Sequence, residues 1–250
     1  MLLAKARQRW IIAALVLTAL VAFVWWSAPR AARSLEPIGL FTTLPILWAD
    51  SPDISTTLGQ DQPPHWARAM LARTGAIEPL DVLVGPPGQA PLGKLRRLVM
   101  AQPRVLNPQE NVALDAWVRG GGQLFLLADP ALTEESAFPL VDPRRPQAVV
   151  LLSPILARWG LDLHLDDGQE LGEQRREVMG VAVPINLPGR FATRGQDNCR
   201  LWADGLAVTC SIGKGRVFAL ADAAVLERDD PDGTRAKAFA ALLDTAFAAR

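Results

Sequence analysis

The chain has 250 residues, and its 26 lysines and arginines are balanced by 26 aspartates and glutamates, which gives a formal net charge of zero. No basic stripe with interleaved aromatics stands out, so we do not expect a nucleic-acid partner. No period of about 20 to 50 residues recurs and no long segment has low complexity, which argues against a repeat protein and against a disordered one.

The first element in chain order is an uncharged segment, residues 10–26 (WIIAALVLTALVAFVWW). As a helix it is roughly 25 Å long, close to the roughly 30 Å hydrocarbon core of a bilayer. Basic residues are more frequent before it than after it, which predicts a cytoplasmic N-terminus and an exported remainder. A cleaved signal peptide is the alternative, but Ser27-Ala28-Pro29 is a poor cleavage site. We therefore predict a single-pass protein of the bacterial inner membrane, with a cytoplasmic segment 1–9, a transmembrane helix 10–26, a linker 27–35 and a periplasmic domain 36–250.

Strand-like and helix-like segments alternate through that domain, the pattern of an α/β fold with a largely parallel sheet flanked by helices. The best-marked helix begins at Asn107, where Pro108 and Glu110 complete a capping box. The predicted strands are 38–44, 77–84, 98–102, 123–128, 161–165 and 216–221, and the other predicted helices are 65–73, 153–159 and the C-terminal one.

The two cysteines lie in one short segment, CRLWADGLAVTC. Asp204-Gly205 between two alternating runs predicts a β-hairpin over 199–210, in a register that sets Cys199 opposite Cys210. In an oxidising compartment this pair can form a disulfide. Two buried free thiols are the alternative, because a hydrogen-bonded strand pair is a somewhat wide fit for the bridge.

Four segments together resemble a known family: LVMAQP at 98–103, GGGQLFLLADP at 120–130, SPILARWGLDL at 153–163 and GKGRVFALADAAVL at 213–226. They resemble the periplasmic domain of gliding-motility-type auxiliary proteins, which are described as components of an uncharacterised ABC-type transport system and are similar to an intraflagellar-transport-like domain. The resemblance implies a class I glutamine-amidotransferase-like fold used for binding, beside an ABC permease and ATPase or other envelope proteins.

No catalytic constellation is evident. Amidotransferase-like catalysis needs a cysteine on a tight turn after a strand, and the candidate turn, Asp129-Pro130-Ala131, has no nucleophile. His65 and His164 are at no spacing that suggests a metal site, and we interpret both as structural. The glycine runs 120–122 and 213–215 precede strands rather than helices, which is the reverse of a phosphate-binding loop. We therefore expect no enzyme, no metal and no cofactor.

Ligands of open α/β sheets bind beyond the carboxyl ends of the strands. The polar residues predicted at those ends are Thr42, Thr43, Gln102, Asp129 and Asp222. One interpretation is that Asp129 and Asp222 are helix N-caps. The other is a shared crevice that binds a peptide, a glycan or a partner loop, with 138–147 as a covering loop.

Together these observations predict a membrane-anchored, non-catalytic binding or scaffold subunit of an envelope complex, an auxiliary component of an ABC-type transport system. The alternative is an anchored periplasmic hydrolase or amidase whose active site the sequence does not reveal.

Overall fold

A seven-stranded sheet in the order β2-β1-β3-β4-β11-β10-β9 forms the centre of the computed structural model, which describes residues 36–48, 50–51, 64–195 and 198–248. Residues 36–250 belong to one compact unit. The strands of this sheet are β1 (Ile38–Thr42), β2 (Ile77–Pro79), β3 (Arg97–Ala101), β4 (Gln123–Leu127), β9 (Cys199–Trp202), β10 (Ala207–Ile212) and β11 (Gly215–Leu220).

Five adjacent strands of the sheet are parallel: β2, β1, β3, β4 and β11 pair in one direction. Three of these strands, with sequences RLVMA, QLFLL and GRVFAL, are apolar runs whose side chains are buried on both faces. Such strands need helices on both sides, because every second side chain leaves the sheet in the opposite direction.

Two further strand pairs lie outside this sheet, and both are antiparallel. In the main sheet, β10 also runs antiparallel to β11 and to β9. The predicted fold class, an α/β fold with a largely parallel sheet flanked by helices, is therefore wrong, and the fold is a mixed α/β fold. The additional strands are β5 (Leu161–Leu165), which pairs with β8 (Gly189–Thr193), and β6 (Gln174–Val178), which pairs with β7 (Val181–Ile185).

Helices cover the two faces of the sheet and divide the core into two clusters. On one face α1 (Trp66–Thr74) and α4 (Thr234–Phe247) pack with β7 around Phe125 and Phe218. On the other face α2 (Pro108–Arg119) and α3 (Ser153–Arg158) pack with β5 and β8 around Trp159 and Phe191. The apolar faces of all these elements are buried in this way, which is the main favourable term in folding.

The hairpin β9–β10 has Cys199 opposite Cys210 and Leu201 opposite Val208, and a disulfide joins the two cysteines. Its turn is longer than the predicted two-residue turn, since Ala203, Asp204 and Gly205 all have positive φ. The turn packs closely on β8: a Cβ on Gly205 would lie 2.5 Å from the carbonyl oxygen of Phe191.

No helix within the described residues has the length and apolar character needed to cross a bilayer. The predicted transmembrane helix, residues 10–26, lies outside the described residues, as do the predicted segments 1–9 and 27–35. On the finding for the described residues, the predicted location, a single-pass inner-membrane protein with a periplasmic domain, is not retained.

Candidate functional site

The connections of the parallel sheet change direction between β1 and β3. From β1 the chain passes through α1 to β2 on one side, whereas β3 leads through α2 to β4 on the other side. In open α/β sheets this switch point opens a crevice beyond the carboxyl ends of the two strands. Thr42 and Thr43 lie at the end of β1 and Gln102 follows β3, and the Thr43 hydroxyl donates a 2.5 Å hydrogen bond to the Gln102 carbonyl.

Gln102 is fully buried and its backbone has a φ of +42°. Its side-chain amide is saturated: Nε2 donates to the carbonyls of Asp129 (3.0 Å) and Gln147 (2.7 Å), and Oε1 accepts from the Asp129 amide (3.0 Å). The side chain thus joins the ends of β3 and β4 to the loop at Gln147. The structure places Gln102 beneath the crevice rather than at its surface.

Asp129 and Asp222 are also fully buried. Each carboxylate closes a local turn by accepting from the amide two residues later, Ala131 for Asp129 (2.7 Å) and Ala224 for Asp222 (2.6 Å). Asp129 also accepts from the Ala223 amide (3.1 Å), so the pair joins the loops after β4 and β11. No α-helix begins at either residue in the described chain, and a single 3₁₀ turn, Ala224–Leu226, follows Asp222.

Burial raises the pKa of Asp129 to about 6. It raises the pKa of Asp222 well above its ordinary value, with the nearby Asp129 carboxyl as a second cause. A buried carboxyl loses hydration when it ionises, and a second carboxyl beside it adds repulsion. Of the five predicted binding residues, Thr42 and Thr43 line open space, whereas Gln102, Asp129 and Asp222 are buried.

That open space is a cleft of about 370 Å³ at the switch point. Trp48 is its largest exposed side chain, with 42% of its surface accessible, and it follows β1 in the chain. Sequence reasoning missed Trp48 and Ser51; a tryptophan shortly after a strand that ends in two threonines was the available signal. The lining residues are Thr42, Thr43, Trp48, Ser51, Phe138, Pro143 and Arg144.

The loop 138–147, predicted as a cover from its proline and arginine content, supplies three of these residues. Asp50 binds the base of the loop by accepting from the Ser136 hydroxyl (3.2 Å) and the Ala137 amide (3.2 Å). Arg145 donates to the Phe138 carbonyl (2.6 Å), and the Gln147 amide donates to the Thr43 hydroxyl oxygen (3.1 Å). The loop is therefore attached at both ends to the segment that follows β1, which favours a preformed site.

Arg144 is the charged side chain of the cleft, and it is already paired. Its Nε and Nη2 donate to the two carboxylate oxygens of Asp142, at 3.0 and 2.7 Å. Its guanidinium carbon lies 4.3 Å from the centre of the Phe138 ring. The hydrogen bonds from Arg144 lower the pKa of Asp142 to about 2, so the pair is an ion pair at neutral pH.

A second polar cluster lies under the loops after β4 and β11. Burial, and secondly the charge of Glu227, raise the pKa of Glu134 to about 7. Burial lowers the pKa of His65 to about 4; its Nδ1 accepts from the Ala67 amide (3.1 Å) and its Nε2 lies 2.9 Å from the Leu226 carbonyl oxygen. His65 is thus a neutral cap of α1. Among the described residues no group of three or more potential ligands could hold a metal ion.

Both cysteines of the chain are in the disulfide, so neither is available as a nucleophile while the bridge is intact. The strained backbone typical of a nucleophile turn is at Gln102 rather than at the predicted Asp129. The amide of Gln102 is not a nucleophile, and its hydrogen bonds account for its burial.

No known family matches the sequence, and no curated protein matches it. Among solved structures, the exo-β-1,4-mannosidase Op5Man5 from Opitutaceae bacterium strain TAV5 is similar at 15% identity, over 94% of this chain and 40% of that chain, with a TM-score of 0.51. The GH42 β-galactosidase Gan42B has 12% identity over 85% of this chain and 30% of that chain, with a TM-score of 0.45. A ThuA-like protein from Parabacteroides merdae has 10% identity, 84% and 87% coverage, and a TM-score of 0.35.

The mannosidase is the one of these three with a TM-score above 0.5, and at 15% identity it shows a shared fold and not a shared activity. The chain spans two fifths of that enzyme's length. That enzyme is not a gliding-motility or ABC-transport component, and the predicted function, a membrane-anchored auxiliary subunit of an ABC-type system, is wrong on this comparison.

Proposed function

We propose that this protein binds a saccharide in the cleft at the switch point, and that it acts as a binding domain rather than as an enzyme. The observation that carries the proposal is the composition of the cleft. An exposed indole, Trp48, is combined there with the hydroxyl-bearing side chains of Thr42, Thr43 and Ser51 and with Arg144.

Such a combination suits a sugar ring, which has an apolar face of C–H groups and an edge of hydroxyls. Small-molecule sites pair a mostly apolar lining with a few placed polar groups, and an exposed tryptophan in a concave site supplies a large, rigid apolar surface. Thr42 accepts a hydrogen bond from the Leu44 amide (2.9 Å) through its hydroxyl oxygen, and the hydroxyl hydrogen can still be donated to a ligand.

A binding role is favoured over catalysis by the state of the candidate reactive groups. The cysteines are bridged, and Asp129 and Asp222 are buried with both oxygens of each hydrogen-bonded to backbone amides. Glu134, whose pKa of about 7 would suit proton transfer, does not line the cleft. Its carboxylate instead accepts from the Arg228 amide at 3.3 Å.

The experiment is calorimetric titration of the purified protein with β-1,4-linked mannotriose, a probe suggested by the exo-β-1,4-mannosidase that shares the fold. We expect saturable binding, and a loss of affinity of about tenfold or more in Trp48→Ala because the stacking surface is removed. Trp202→Ala is the matched control, since Trp202 lies on β9 at the far edge of the sheet. Unchanged affinity in Trp48→Ala, or no binding by the wild-type protein of this or any other neutral oligosaccharide in a panel, would refute the proposal.

A further inference from the structure

We infer that the cleft selects neutral sugars over acidic ones, and that Asp142 is the residue responsible. The inference rests on the proposed function and deepens it, because it assigns the chemical class of saccharide that the same cleft binds.

The first step concerns the donors of Arg144. A free arginine in a cleft is the usual partner of a carboxylate or a phosphate, because its planar group offers two parallel N–H donors. Here Nε and Nη2 of Arg144 are both bonded to Asp142, at 3.0 and 2.7 Å. Nη1 has no protein partner among the described residues, so its two N–H donors and the second N–H of Nη2 remain for a ligand, on a guanidinium whose charge Asp142 already balances.

The second step concerns competition for the guanidinium. Asp142 is two residues away in the same loop, and its Oδ1 also accepts from the Arg144 amide at 2.9 Å. To bind the Nε–Nη2 edge of Arg144, a carboxylate on a ligand would have to displace one that is held in place by the chain. An intramolecular partner competes at a high effective concentration, so displacement is unfavourable.

The third step concerns the charge around the cleft. Asp142 balances Arg144, and Asp50, which accepts from Ser136 and Ala137, adds a second negative charge at the base of the loop. Arg145 directs its guanidinium to the carbonyls of Ser136 and Phe138, within the loop. Arg145 keeps its positive charge, which offsets that of Asp50, so the four charged groups sum to no net charge. An acidic sugar therefore loses the hydration of its carboxylate without meeting an unbalanced cation, a cost that a neutral sugar does not have.

The test compares two trisaccharides of the same linkage and stereochemistry, β-1,4-mannotriose and β-1,4-mannuronic acid trisaccharide, which differ in the carboxylate at C6. Calorimetry with the wild-type protein at pH 7 and low ionic strength should show the neutral trisaccharide binding at least about tenfold more tightly. In Asp142→Ala the preference should fall to near unity or reverse, through tighter binding of the acidic sugar, and salt should weaken that new affinity.

Asp162→Ala is the matched control, since Asp162 forms the same kind of exposed bidentate pair with Arg194 but lies on β5, away from the cleft. Its sugar preference should equal that of the wild-type protein. The double variant Asp142→Ala/Arg144→Gln should lose the affinity for the acidic sugar gained in the single variant, because the freed guanidinium is gone.

Wild-type protein that binds the two trisaccharides equally, or prefers the acidic one, would overturn the inference and leave saccharide binding intact. An unchanged preference in Asp142→Ala would overturn the role of that residue. Failure of the wild-type protein to bind either sugar, or any other oligosaccharide, refutes the proposed function and the inference with it.

Discussion

Glu110 at the start of α2 is the carboxylate whose removal we expect to destabilise the protein most clearly. Its side chain is only 1% exposed. Oε1 and Oε2 accept from Arg104 at 2.8 and 2.9 Å, and they also accept from the amides of Leu83 and Asn107, each at 3.1 Å. One carboxylate therefore serves the capping box, an ion pair and the loop that follows β2.

The contribution of Glu110 to the free energy of unfolding follows from its pKa. The hydrogen bonds from Arg104 outweigh desolvation, the next largest cause, and with the two amides they lower the pKa of Glu110 from 4.5 to about 2. A difference of about 2.5 pKa units corresponds to roughly 3 kcal/mol of free energy of unfolding. Because the folded-state pKa is lowered, this stabilisation is fully present above about pH 4.5 and is lost as the pH falls toward 2. About half of it remains at pH 3.

The assay is urea denaturation of wild-type and Glu110→Gln protein at pH 7, 4 and 3, followed by tryptophan fluorescence. We expect the variant to be less stable by roughly 3 kcal/mol at pH 7, with the gap narrowing at pH 3. Asp142→Asn is the control, because Asp142 has an equally low pKa of about 2 in an exposed loop, and exposed pairs contribute little to stability. A Glu110→Gln protein as stable as wild type at pH 7, or a gap that does not change with pH, would refute the reasoning.

Two further outcomes follow from other groups. Burial raises the pKa of Glu134 to about 7. Glu134 should therefore lower the free energy of unfolding by about 1–2 kcal/mol, after allowance for partial exposure, as the pH rises from about 4.5 to 7.5. Asp129 and Asp222, whose pKa values are also raised, act in the same direction, so Glu134→Gln should reduce the slope of stability against pH in urea titrations without abolishing it; an identical slope in both proteins would contradict the shift. Without reductant, thiol labelling of denatured protein should find no free cysteine, and the double variant Cys199→Ala/Cys210→Ala should lose about 2–3 kcal/mol of stability yet still bind mannotriose. Two reactive thiols in the oxidised protein, or lost binding in a variant that folds, would contradict this outcome.

Local sequence patterns predicted the helices and strands that are specified by residues close together in the chain. The helix α2 begins where Asn107, Pro108 and Glu110 predict it, because a capping box is made within four residues. The hairpin pairs Cys199 with Cys210 in the predicted register although its turn is longer than predicted, since the alternation of apolar and polar residues sets which faces meet. No comparable signal marked β6: four of the five residues of QRREV are charged or polar and exposed, and it is paired by β7 rather than held by a buried face.

The same division applies to the candidate site. The sequence identified polar residues at the carboxyl ends of strands, but it did not distinguish Thr42 and Thr43, which line the cleft, from Gln102, Asp129 and Asp222, which are buried. Depth depends on what packs above a residue. The Gln102 amide is covered because a carbonyl 45 residues later in the chain accepts its hydrogen bond.

By itself the sequence determined the strands of the main sheet, the α-helices, the cysteine pairing and the polar ends of the strands. Each of these depends on contacts within about a dozen residues, or on a side-chain repeat of two residues in a strand or 3.6 in a helix. Only the tertiary structure decided that the sheet is mixed, that two antiparallel pairs flank it, and which loop residues meet at the switch point. At the cleft, a hydrogen bond joins Thr43 to Gln147, which lies 104 residues later in the chain. Trp48 and Arg144 line the same space. Such contacts form between loops that are distant in the sequence and pack together on the sheet, so local sequence patterns do not predict them.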